Sequence, residues 1–95
     1  MFVVIGEYVR EWSREDPVYL EHREFMTRQI EAGRFLCSGP REGGGAVMIA
    51  YGDDAEALRD LLGKDPFAVA GYVRFELHQF RAGLADPRAA WLVGE

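Results

Sequence analysis

The order in which apolar periodicities alternate along the chain is what most restricts its fold. Phe2-Val3-Val4-Ile5 is a continuous apolar run with β-branched residues, followed by Gly6 and Glu7-Tyr8-Val9, the pattern of a strand covered on both faces. Arg10 to Asp16 is charged, and Asp16-Pro17 supplies an N-cap followed by proline at the first helical position. The helix predicted from there carries Tyr19, His22, Met26 and Ile30 at spacings of three and four, with Val18 and Phe25 flanking, and ends at Gly33. Arg34 to Ser38 reads as a second strand stopped by Gly39-Pro40, and Gly43-Gly44-Gly45 turns the chain into a third, Ala46 to Tyr51. Asp53-Asp54-Ala55-Glu56 caps a helix with Leu58, Leu61 and Leu62 that ends at Gly63. Asp65-Pro66-Phe67 starts a single helical turn, and Tyr72 to Phe80 alternates Val73, Phe75 and Leu77 against Arg74, Glu76 and His78.

The order β-α-β-β-α-β is the split βαβ pattern of a ferredoxin-like α+β fold, with two helices on one face of a four-stranded antiparallel sheet. The opposite face keeps apolar side chains, and a second subunit is the simplest cover, so a homodimer is expected. Ninety-five residues are enough for one domain. We assign residues 1–80 to it and 81–95 to a tail whose Trp91, Leu92 and Val93 are expected to pack on a subunit surface. A net charge of −5 disfavours nucleic acid and anionic lipid as partners. No apolar run reaches membrane-span length and the N-terminus has no signal-peptide pattern, which points to a cytoplasmic protein. One cysteine, Cys37, excludes an internal disulfide; between Leu36 and Ser38 it reads as a small buried hydrophobe.

Few side chains carry chemistry. His22 lies on the apolar stripe of its helix, where a packed core histidine and a general base are both open readings. Asp65 before Pro66 caps a helical turn and can also hold an imidazole. Ser38 beside Gly39 ends a strand or lines a pocket. His78 shares a strand face with Arg74 and Glu76, either at a solvated edge or bordering a barrel cavity. His22, His78, Cys37 and scattered carboxylates have no metal-ligand spacing, and the triple glycine lacks the Lys-Ser/Thr of a phosphate loop, so neither metal nor cofactor is expected.

A helix with a His, then Gly33-Arg34-Phe35-Leu36-Cys37-Ser38-Gly39-Pro40, a glycine-rich turn and Lys64-Asp65-Pro66-Phe67 before the last strand resemble the YCII-related (YciI-like) family over residues 1–80. That resemblance implies a dimeric α/β barrel and a catalytic dyad of His22 and Asp65, with Ser38, Gly39, Pro40, Phe67 and His78 as the substrate-binding set. One family member resembles a dehydrochlorinase of hydroxylated aromatic rings. The expected function is therefore cofactor-independent acid-base chemistry on a small organic substrate, a hydroxylated or halogenated aromatic being favoured. The alternative is a dimeric ligand-binding or interaction module without turnover, and a monooxygenase reading rests on fold analogy alone.

Overall fold

The computed structural model describes residues 1–93, so the last two residues of the expected tail, 94 and 95, lie outside the described residues. The elements run β1 (Phe2–Tyr8), α1 (Pro17–Glu31), β2 (Phe35–Pro40), β3 (Ala46–Ala50), α2 (Ala55–Leu62), α3 (Pro66–Val69) and β4 (Val73–Gln79), followed by a 3₁₀ helix over Pro87–Leu92. The sheet order is β2-β3-β1-β4, antiparallel throughout. This is the ferredoxin-like α+β arrangement, with the helices on one face of a four-stranded antiparallel sheet.

Each helix begins where an aspartate stands in front of it. Asp16 accepts from the Val18 N–H at 2.9 Å, Asp54 from Ala57 at 3.0 Å and Asp65 from Phe67 at 3.0 Å, each satisfying a donor the helix cannot. After α1, Gly33 takes φ +77°, a left-handed conformation that turns the chain into β2. Gly45 is fixed by space as well as by φ, since a Cβ there would come within 2.3 Å of the Gly6 carbonyl oxygen. The Gly39-Pro40 pair does not stop β2, which continues through Pro40. β2 is an edge strand, where a proline without an N–H can be accommodated.

The core lies between the sheet and the helices. Phe2, Val4, Phe35, Met48 and Ala50 from the strands meet Phe25 and Met26 of α1 and Leu58 and Leu62 of α2. A second cluster, Phe67, Tyr72 and Val73, extends it beneath Tyr8, Trp12 and Tyr19. The stripe of α1 is narrower than its spacing predicts. Ile30 is 42% exposed, whereas Gln29 is buried, its amide oxygen accepting from Arg34 at 3.2 Å.

Pairing places Val3 beside His78, Ile5 beside Glu76 and Cys37 beside Ile49, all on the sheet face away from the helices. Cys37 is exposed, contrary to the sequence expectation. A register irregularity between Phe35 and Cys37 lets Phe35 pair with Ala50 on the core face while Cys37 falls on the other. In the tail, Trp91 reaches Tyr51 of the same chain, ring centroids 5.8 Å apart, and remains 60% exposed.

Candidate functional site

His22 stands in the second turn of α1, and Asp65 is the residue on which α3 starts. The packing of these two helices joins residues 43 positions apart: His22 Nδ1 lies 2.8 Å from Asp65 Oδ1. Asp65 is fully buried and His22 is 19% exposed at its side chain. The same Oδ1 accepts the Phe67 N–H, so one oxygen both caps α3 and holds the imidazole. Oδ2 is buried with no hydrogen-bond partner among the described residues, a placement that costs free energy unless a positive charge stands nearby. Against a carboxylate oxygen that already accepts the Phe67 N–H, Nδ1 is placed to donate. In the neutral ring Nε2 then keeps its lone pair, as a general base requires.

Phe67 holds the imidazole plane. Its ring stacks on His22 with centroids 4.0 Å apart and planes within 3°. The next aromatic layer is Trp12 stacked on Tyr19 at 4.9 Å and 13°, with Tyr8 edge-on to both Trp12 and Phe67. These rings border a cavity of about 430 Å³ that His22 also lines, together with Ser38, Gly39 and Pro40 from β2. A hollow of about 600 Å³ near Met1, Tyr51 and Phe80 contains no histidine, and acid-base chemistry places the candidate site in the smaller cavity.

Trp12 belongs to the segment between β1 and α1, and that segment is tied down. Val9 N–H donates to the Tyr72 carbonyl at 2.9 Å, and the Tyr72 hydroxyl donates to Asp16 Oδ2 at 2.8 Å. The Arg10 guanidinium lies 4.5 Å over the Tyr72 ring. The hydrogen bond to Asp16, then burial, raises the Tyr72 pKa, so the phenol stays a donor. Burial, then the Asp65 charge and Tyr19, raises the Tyr8 pKa, keeping a protonated hydroxyl at the cavity at neutral pH.

Six of the seven candidate residues thus gather at one place: Asp65 behind His22, with Ser38, Gly39, Pro40 and Phe67 around the cavity. His78 is not brought there. It lies on the other sheet face, 56% exposed, with Nε2 2.5 Å from Glu76 Oε1. The alternation of β4 is the reason, because Val73 and Phe75 on the helix side reach the cavity and the even-numbered residues cannot. Sequence reading missed Tyr8, Trp12, Arg14 and Arg23 as lining residues; a lone tryptophan in the charged stretch 10–16 was the available signal. Among the described residues, no group of three or more His, Cys, Asp or Glu side chains is placed to hold a metal ion.

No protein-family model matches the chain, and no curated protein matches it in sequence. Among solved structures it is similar to 5-chloro-2-hydroxyhydroquinone dehydrochlorinase (TftG) from Burkholderia phenoliruptrix, in complex with 2,5-dihydroxybenzoquinone. The similarity has a TM-score of 0.61 at 18% identity and covers 87% of this chain and 96% of that one, which is a likeness of fold.

Proposed function

We propose that the chain is a small acid-base enzyme in which His22 Nε2 moves a proton to or from an organic substrate while Asp65 orients the imidazole and stabilises its charged form. The observation that carries this reading is the 2.8 Å contact of His22 with a fully buried carboxylate at the wall of an aromatic cavity. The substrate class we favour is a hydroxylated or halogenated aromatic, in keeping with the activity named for the structural neighbour and with the resemblance of residues 33–40 and 64–67 to the YCII-related family. Loss of HCl is one reaction such a site could promote: the substrate gives up a proton to His22 and chloride leaves with the C–Cl electron pair. We further propose a homodimer formed through the sheet face of Val3, Ile5, Val47 and Ile49, which the helices leave uncovered.

A binding module without turnover is the second reading, favoured by the dual use of Asp65 Oδ1, since capping alone accounts for an aspartate before Pro66. Turnover separates the two. Purified protein incubated with chlorinated and unchlorinated hydroxyquinols should release chloride or consume substrate, and His22→Gln should abolish it. Full activity in His22→Gln would overturn the proposal, as would saturable binding with no product.

A further inference from the structure

The charges around the cavity are unlike those of the chain. With 16 acidic against 11 basic residues the protein is negative overall, yet Arg14 and Arg23 line the cavity and, among the described residues, no carboxylate does. Asp65 sits behind His22 and is fully buried, so its charge is engaged by the imidazole and the α3 cap. Arg14 makes no hydrogen bond or ion pair through its side chain among the described residues. Arg23 gives one donor to the Tyr19 hydroxyl at a long 3.3 Å. Two guanidinium groups, each a fork of five N–H donors, therefore border the cavity with most donors unspent.

The cavity walls also have a shape. The planes of His22 on Phe67 and of Trp12 on Tyr19 are flat aromatic surfaces, and a volume of about 430 Å³ has room for a substituted ring laid against them. We infer that this cavity selects a planar, single-ring aromatic anion, its ring against the aromatic walls and its negative oxygen on Arg14 and Arg23. The inference rests on the cavity being the substrate site and adds the charge of what enters it. Such pairing at an open cavity is partly screened by water, so the preference is expected to be moderate and dependent on salt.

Salicylate and its neutral amide, salicylamide, have the same ring and differ in this charge. Calorimetry and the NMR signals of the His22 ring and Trp12 indole should show salicylate binding about tenfold more tightly, a difference of about 1.4 kcal/mol. The preference should shrink as sodium chloride is raised and vanish in the Arg14→Gln, Arg23→Gln double variant, while Arg14→Lys, Arg23→Lys keeps part of it. Both arginines are exposed, so an unchanged thermal midpoint serves as the folding control. Equal affinity for the amide, a preference surviving the glutamine variant, or salicylate binding that leaves His22 and Trp12 unmoved would each overturn the inference. The measurement needs no turnover: selective binding by an inactive protein would refute only the enzyme proposal, and turnover of neutral phenols without anion preference would refute only this inference.

Discussion

The molecule has two histidines, each within hydrogen-bond reach of a carboxylate, and the two pairs differ in almost everything else. His78 and Glu76 stand two residues apart on one face of β4, with side chains 56% and 71% exposed. In the single protomer either can turn into water, and such a pair contributes little to its stability. His22 and Asp65 come from different helices, with side chains 19% and 0% exposed. Asp65 also holds the Phe67 N–H, and Phe67 in turn fixes the imidazole plane. Proximity of charge is common to both pairs; burial and a second constraint on each partner are what make one of them a candidate for proton transfer.

The largest difference expected between the pairs is in activity. For any substrate that the protein turns over, His22→Gln should lower kcat by at least about 100-fold, the usual contribution of a positioned acid-base group, and His78→Gln should leave it within about twofold. Steady-state kinetics of the two variants checks this, and a comparable loss in both would dissolve the distinction. Stability should separate them next. Asp65→Ala leaves the Phe67 N–H and the imidazole without their shared acceptor in a buried setting, a loss of about 3 kcal/mol, whereas Glu76→Ala should cost less than about 0.5 kcal/mol. Urea unfolding of the two variants measures the contrast.

Asp65→Asn sharpens the same point, because an amide oxygen can still cap α3 but carries no charge. It should retain more stability than Asp65→Ala while losing most of the activity, and equal behaviour of the two variants would reduce Asp65 to a cap.

The smallest effect concerns Tyr8. Its raised pKa means that the folded state holds the phenolic proton more firmly than the unfolded chain, with its ordinary value of 10.0. The corresponding stability is present below that value and is lost as pH rises through the folded one. Burial is the leading cause and the Asp65 charge the next, so Asp65→Asn should lower the alkaline titration of Tyr8 part of the way, while Glu76→Gln leaves it in place. Ultraviolet phenolate titration, with Tyr8→Phe to identify the signal, checks both.

Much of this architecture was legible in the chain because its signals are local. An aspartate ahead of each helix, the alternation through Val73, Phe75 and Leu77, and the triple-glycine turn are choices of backbone made over a few residues, and they give the ferredoxin-like order of elements directly. The resemblance placed His22 and Asp65 in one site; periodicity could only place His22 on a stripe. Residues 43 positions apart in sequence are joined by how α1 packs on α3, a three-dimensional fact with no local signature. Tertiary structure likewise decided that Trp12 and Arg14 of an apparently solvated segment line the cavity, since the ties of Val9 and Asp16 to Tyr72 hold that segment down. It turned Cys37 outward through a register irregularity and left His78 on the far face of the sheet. The sequence by itself determined the elements and their order, because capping and periodicity act within a turn or a strand. Which side chains share one cavity was decided only by the pairing register and the helix packing, which are set by contacts between distant parts of the chain.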